Sequence, residues 1–483
     1  MWQITEQRAD LPGDVQRCLE AIEQNPGFFD PAQPITLARA PGRLDLMGGI
    51  ADYSGSLVLQ LPLEVATFAA VQRTDEPAVT VISHAATDLD SDNQVQVPLA
   101  SLAPGGDPLD YAQARVMLSR HPRQQWAAYV IGVLVVLQRE EGVLLQHGLR
   151  LMVYSEVLIG KGVSSSAALE VASMQAVCGA LGLRLDGPRV ALLCQKVENL
   201  VVGAPCGVMD QMTSACGEQG RLLVLLCQPA EIGPAVALPP GLAVWGIDSG
   251  VRHAVSGGDY ESVRVGAFMG YRMVAELEGL QVEEIGPRRV RVTDPLWGGY
   301  LCNIGPSEWE TRYRDHIPEA IRGDDFLGRY AGTTDAVTTI HPDRIYPVCQ
   351  PTAHPIYEHR RVRLFKALLE QAQLDRERLQ LLGELMYQSH TSYSACGLGS
   401  RETDRIVSLV REAGAAAGLY GAKITGGGSG GTVAVLGHRD AGDVVREITA
   451  RYSAEAGRGG AVLSGSSPGA VQFGLLTVRQ STP

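Results

Sequence analysis

Basic excess, paired cysteines, long apolar runs and internal repeats are all missing from this chain. Its 41 Lys and Arg are outnumbered by 53 Asp and Glu, leaving a formal net charge of −12. A broad nucleic-acid surface needs clustered positive charge, so no nucleic-acid partner is expected. The nine cysteines are widely spaced and form no C-x-x-C pair. That pattern supports neither a disulfide framework nor a cysteine metal site, and reduced thiols in a cytoplasmic protein are the simpler expectation. The longest apolar run, about Trp126 to Leu137, falls short of the roughly 20 residues a bilayer span needs. The polar start, M-W-Q-I-T-E-Q-R-A-D, has no apolar signal-peptide centre. Neither a membrane partner nor export is expected.

What is present is a globular balance, 45% apolar and 19% charged over 483 residues, enough for two or three domains. The chain is organised around Val157–Ala172, V-L-I-G-K-G-V-S-S-S-A-A-L-E-V-A. Two glycines permit close backbone approach, and three serines precede a segment free of helix breakers. A helix N-terminus with free amides attracts anions, so a phosphate chain suits this loop. An ordinary strand-to-helix connection fits the same residues.

Two other loops share this character. After the strand-like I-T-L-A-R-A from Ile35, residues 41–55 set Arg43, Asp45, Asp52 and Tyr53 among four glycines. Charged groups on such a connection suggest function, the alternative being an Arg–Asp pair that pins a turn. Residues 423–431, K-I-T-G-G-G-S-G-G, precede a β-branched strand. They read as an anion-binding nest or as a bulged hairpin. Between the loops lie strands near 65–73, 79–83 and 148–155 and helices near 111–119, 124–141, 168–181 and 189–202. Asp210 follows a Pro/Gly turn, where an aspartate commonly caps a helix. Residues 229–240 read as a linker between short strands, and 285–355 as a long, ordered, irregular insertion. The alternation of strands and helices indicates an α/β or α+β protein.

In order and spacing, the three loops resemble the three motifs of the GHMP kinases, the family of galactokinase, homoserine kinase and mevalonate kinase. C-G-V-M-D-Q at 206–211, V-R-H-A at 251–254, Tyr260 and Arg264 are similar to the galactokinase branch. The resemblance implies an α+β fold of two domains with the active site in the cleft between them. Residues 1–220 would form an N-terminal α/β, ribosomal-protein-like domain and 221–483 a ferredoxin-like C-terminal one. It also implies an ATP- and Mg2+-dependent sugar 1-kinase. Asp210 would take the anomeric proton, and Arg43 would stabilise Asp210 and the transferred phosphoryl group. Gly160, Lys161, Gly162, Val163, Ser164, Ser165, Ser166, Ala167, Gly427 and Gly428 would bind ATP, with Ser166 and Glu198 as metal contacts. Lys161, where galactokinases have a small residue, reads equally as an added phosphate contact or a solvated lysine. The sugar would meet Arg43, Gly49, Ile50, Asp52, Gly207, Asp210 and Tyr260.

One departure concerns the sugar. Galactokinases carry Glu-His-Thr-Asp where this chain has Gly49, Ile50, Ala51 and Asp52. The aspartate that holds ring hydroxyls stays, while both polar groups facing the exocyclic hydroxymethyl are gone. A pocket for a hydroxyl is poorly served by glycine and isoleucine. The resemblance therefore implies L-arabinose, with D-galactose as the alternative and a non-catalytic sugar sensor as a third reading. Within the branch the chain is similar to the kinase portion of the plant arabinokinases, including the insertion and H-P-I-Y-E at 354–358. Restoring Glu at 49 and His at 50 is expected to move preference toward galactose.

Overall fold

The computed structural model describes residues 1–6, 8, 11–84, 91–252, 258–371 and 375–481. Part of the V-R-H-A segment (His253 and Ala254) and residues 86–90 of the polar stretch after the fourth strand lie outside them.

Among the described residues, nine strands make the larger sheet. They are β1 (Trp2–Ile4), β2 (Ile35–Met47), β3 (Leu57–Thr74), β4 (Ala78–Ser83), β5 (Gln94–Pro98), β6 (Gly148–Ser155), β7 (Arg221–Leu226), β8 (Glu231–Ala237) and the last strand, Leu475–Gln480. The long strand β3 organises it. Its C-terminal half pairs antiparallel with β6, from Thr67 against Ser155 to Thr74 against Gly148. Its N-terminal half pairs with β7, from Leu57 against Leu226 to Gln60 against Leu223. The strand Leu475–Gln480 lies between β1 and β2. Three strands beyond residue 220 therefore lie in the same sheet as β6, the strand that precedes the serine loop.

The sheet's apolar face packs on the helices Ala128–Glu140, Ser165–Leu181 and Gly187–Lys196. Their Val, Ile, Leu and Ala side chains form one buried cluster with those of β3, β4 and β6. A second sheet has four strands. It contains β9 (Leu242–Asp248) and a hairpin, Leu419–Ile424 with Thr432–His438, and Val462–Leu463 closes its edge. The helices Arg401–Ala413 and Gly442–Ala456 pack on it through Ile406, Val410, Val445 and Tyr452. Among the described residues no helix is long and apolar enough to cross a membrane.

Several local expectations change. Strand β2 runs through Pro41 to Met47, so Arg43 and Asp45 stand on a strand and the loop proper begins at Gly48. The cause is a continuous ladder to β3, from Thr36 opposite Val71 to Met47 opposite Leu59, which absorbs Pro41 and Gly42 at an irregularity. Residues 231–237, expected as linker, form β8, whose groups bond to β7. The helix after the serines begins at Ser165, three residues early. The segment expected as one helix over 189–202 changes to π-helical winding at Val197–Val202. The region 285–355 forms one small hairpin with its N-terminal flank, a second two-stranded sheet joining Ala320–Arg322 to Ile345–Pro347, and the helix Gly323–Tyr330; its Trp297, Trp309, Tyr313, Phe326 and Tyr346 share a core with the helix Gly258–Leu277. Five buried aromatics explain why that segment is ordered despite its polar composition.

Candidate active site

Arg43 is the hub of the site. Burial on β2 leaves it 2% exposed, and its guanidinium reaches two other loops. Its Nε donates to Asp210 Oδ1 at 2.9 Å, with Nη2 2.8 Å from the same oxygen. Nη1 donates to the Gly162 carbonyl at 2.6 Å. Burial alone would lower the Arg43 pKa, but the charges of Asp210 and Asp45 outweigh it and hold the cation more firmly. Asp210 lies in the first turn of the helix Met209–Cys216, and its side chain is 21% exposed to the cleft. The side chain faces Arg43 instead of capping the helix; no side-chain cap is present there.

A cleft of about 930 Å3 opens above this pair. Its wall includes Arg43, Ile50, Asp52, Glu198, Gly207, Asp210 and Tyr260, and also Gly160, Gly162, Ser164, Ser165, Ser166 and Gly427. Sequence reasoning over separate loops therefore named residues that the fold brings together. It missed Tyr129 and Trp126 on the far wall, and Gly426. Both aromatics lie in or just before an apolar helix that reads as pure core, and only its placement beside the serine loop distinguishes them.

Other named residues stand behind the wall. Val163 and Ala167 are fully buried beneath the serines. The Lys161 ammonium is 3.1 Å from Asp248 of β9, with side chains only 12% and 9% exposed, so it is not a solvated lysine. The serine loop meets the glycine hairpin backbone to backbone. A Cβ on Gly426 would stand 2.6 Å from the Gly162 carbonyl oxygen, and one on Gly428 2.7 Å from that of Leu398. Gly426 and Gly428 thus serve close backbone approach within a true hairpin.

The loop 48–55 is held from below. The Tyr393 hydroxyl occupies the space beside Gly49, where a Cβ would come 1.8 Å from it and 2.2 Å from Asp45 Oδ2. Gly49 thus has no room for the glutamate expected to restore galactose preference unless Tyr393 moves. Asp45 is fully buried and saturated, bonded by Lys423 at 2.7 Å, Gln60 at 2.7 Å and Tyr393 at 3.3 Å. His354, kept neutral by burial that pushes its pKa down to about 4, bonds the Gly49 carbonyl at 3.0 Å. Glu358 accepts from the Gly48 amide at 3.1 Å. Between these clamps Ile50 takes φ +51°, a strained conformation for a β-branched residue. It lies at the cleft wall next to Asp52.

Two cleft carboxylates are shifted upward. Burial, then the charge of Asp210, push Asp52 up to about 7 despite attraction from Arg264. One Asp52 oxygen has no partner, and Gly207 is pressed so close that a Cβ there would meet the other at 1.6 Å. Burial and Asp210 also push Glu198 up to about 7, against hydrogen bonds from Ser166 and Gln211. The Gln211 amide joins Glu198 at 2.6 Å to the fully buried Glu170 at 3.1 Å. Ser164, at φ +59°, keeps a buried hydroxyl without a partner.

These features suit a divalent cation with phosphate. Oxygen donors, a carboxylate short of neutralisation and an unused serine hydroxyl are what a hard cation and its anionic ligand require. Among the described residues no three His, Cys, Asp or Glu side chains converge as a closed metal cage. An open site that leaves positions for water and phosphate oxygens is the kind magnesium commonly uses.

Three family models match the chain: the GHMP kinases N terminal domain at 128–218, the GHMP kinases C terminal at 365–454, and the galactokinase galactose-binding signature at 28–73. The chain is 46% identical to the L-arabinokinase of Arabidopsis thaliana over 94% of its length, and it spans about half (48%) of that relative. It is 31% identical to the galactokinase of Streptomyces coelicolor, covering 84% of this chain and 85% of that one. In fold it matches the Lactococcus lactis galactokinase solved with galactose, at a TM-score of 0.71 and 19% identity over 94% of this chain and 99% of that one. Matched by both GHMP kinase models and by the galactokinase signature, and 31% identical to a galactokinase over most of both chains, the chain belongs to the GHMP kinase family, in the galactokinase branch.

Proposed function

We propose that the cleft catalyses ATP-dependent phosphorylation of the anomeric hydroxyl of L-arabinose, giving L-arabinose 1-phosphate and ADP. The observation that carries the choice of sugar is Ile50. It puts an apolar, conformationally fixed side chain in the wall beside Asp52, and the Tyr393 hydroxyl fills the space a polar side chain at 49 would need. A sugar with the galactose ring stereochemistry and no exocyclic hydroxymethyl leaves no hydroxyl unpaired against that wall. The 46% identity to a protein named L-arabinokinase supports the same sugar.

In this reading Asp210 accepts the anomeric proton as the sugar oxygen forms its bond to the γ-phosphorus. The bond from that phosphorus to the β–γ bridging oxygen breaks, and ADP leaves. Arg43 orients Asp210, since two of its nitrogens approach one carboxylate oxygen. Its third contact ties the phosphate loop to the same hub. Asp52 accepts hydrogen bonds from ring hydroxyls, and Gly207 and Tyr260 close the sugar end. Gly160, Gly162, Ser164, Ser165 and Gly427 surround the phosphates at the N-terminus of the helix Ser165–Leu181. Ser166 and Glu198 would hold Mg2+, which supplies neutralisation of the phosphate oxygens when bound.

Galactokinase activity is the second reading, favoured by the galactose-binding signature over 28–73. A coupled assay with ATP, Mg2+ and each of L-arabinose, D-galactose and D-galacturonate separates the readings. The highest kcat/KM is expected with L-arabinose. A higher value with galactose would overturn the argument from Ile50, and no turnover with any sugar would favour a sensor.

A further inference from the structure

The insertion contributes one residue that reaches the sugar end of the cleft through a single intermediary. Arg264, on the helix Gly258–Leu277, is buried at 5% exposure and forked onto Asp335. Its Nε donates to one Asp335 oxygen at 2.9 Å and its Nη2 to the other at 2.8 Å. The remaining capacity of Asp335, itself 4% exposed, is taken by the Val337 amide at 3.1 Å, the Thr338 amide at 3.2 Å and the Thr338 hydroxyl at 2.5 Å. Its segment is anchored in turn, since Thr333 exchanges backbone hydrogen bonds with Arg288 and Val290 of the first insertion hairpin. The acid is therefore held in place by the insertion's own fold.

The other side of Arg264 backs the segment of the cleft wall that holds Cys206. Its Nη1 donates to the Cys206 carbonyl at 3.0 Å, and its guanidinium lies 5.3 Å from the Tyr53 ring centroid. Cys206 precedes Gly207, whose backbone is packed on Asp52, and Tyr53 follows Asp52 in the chain. One cation thus touches both segments that frame Asp52. A guanidinium forked onto a carboxylate has one orientation; a guanidinium without that partner has many.

We propose that Asp335 is a positioning residue for the acceptor half of this site. By fixing Arg264 it sets the Cys206–Gly207 backbone and the Tyr53 ring against Asp52. The insertion is then part of the sugar pocket's support, and its loss is felt at the sugar and not at the nucleotide. The assignment rests on reading the cleft as a sugar-kinase site.

The test compares full-length Asp335→Ala and Asp335→Asn with the unsubstituted protein. The KM for sugar is expected to rise roughly tenfold while the KM for ATP stays within about twofold, a split that general softening would not produce. Backbone amide exchange is expected to accelerate in the 204–208 segment and to stay unchanged in the serine loop. Arg264→Lys, which keeps the charge but cannot bridge Asp335 and Cys206 in one plane, should show the same split. If Asp335→Ala does not fold, Asp335→Asn decides. Unchanged sugar KM and unchanged exchange in a folded variant would overturn the proposal, as would equal losses for sugar and ATP. Amide exchange needs no turnover. It still judges the linkage if the unsubstituted protein phosphorylates none of the sugars, an outcome that would refute the kinase reading alone.

Discussion

The hydroxyl of Tyr393 occupies the volume that any side chain on Gly49 would need, 1.8 Å from the ideal Cβ position. Tyr393 is fully buried, and its hydroxyl also donates to the Gly426 carbonyl at 3.1 Å. The glycine therefore records a packing constraint set by a residue 344 positions later in the chain.

Gly49→Glu with Ile50→His is accordingly expected to destabilise the protein without creating a hydroxymethyl pocket. Overpacking of this kind costs about 1–3 kcal/mol, and burying the new carboxylate adds to it. Urea unfolding together with the arabinose-to-galactose ratio of kcat/KM provides the check. Unchanged stability with a shift toward galactose would show that Tyr393 moves aside freely.

Asp210→Asn is expected to lower kcat by about 10^2–10^4-fold, the usual contribution of a positioned base. ATP affinity should persist, because the serine loop keeps its backbone and its own helix N-terminus. Single-turnover kinetics beside a nucleotide titration tests both halves. Activity near that of the unsubstituted protein would remove Asp210 from the proton-accepting role.

Asp52 titrates near 7 in the folded state, above the ordinary carboxylate range of about 3.9. The folded protein therefore holds this proton more tightly than the unfolded chain does. Stability from this group is fully present below about pH 4 and is lost as pH rises through about 7. Asp52→Asn should unfold at a higher temperature than the unsubstituted protein at pH 8, with the difference closing toward pH 4. It should also raise the KM for sugar, since an amide replaces a carboxylate that accepts from ring hydroxyls. Melting curves without ligand at pH 4, 6 and 8 would show it; a constant difference across pH would contradict the assignment.

The pairing of Lys161 with Asp248 joins the serine loop to the smaller sheet. Lys161→Ala takes the cation from a nearly buried carboxylate, leaving it the Gly250 amide, and should cost about 1–3 kcal/mol of stability. A double-mutant cycle with Asp248→Asn should give a clear coupling energy, because the partners touch. A rise in KM for ATP with no coupling would instead make Lys161 a phosphate contact.

Much of the site was legible in the chain because its chemistry is local. The serines open a helix, and the glycines bring Gly426 onto Gly162. Aspartates and an arginine beside such loops mark phosphate and hydroxyl chemistry from residue type alone. Arg43 and Asp45 were misplaced onto a loop because pairing with β3, 15 or more residues away, overrides the breaking tendency of Pro41 and Gly42. Residues 231–237 were misread for the same reason, since their pairing partner supplies what their composition withholds.

The sequence by itself determined the glycine-serine loop, the Asp210 motif and the absence of polar side chains at 49 and 50, because each is a pattern of neighbouring residues. Only the tertiary structure decided what those residues face. It sets Arg43 between Asp210 and Gly162, fills the space beside Gly49 with Tyr393, takes Lys161 away to Asp248 and brings Asp335 to Arg264. Each of these contacts joins residues far apart in the chain, and no local periodicity or propensity encodes such a meeting. Their geometry comes from long-range strand pairing and from the burial of charge against charge.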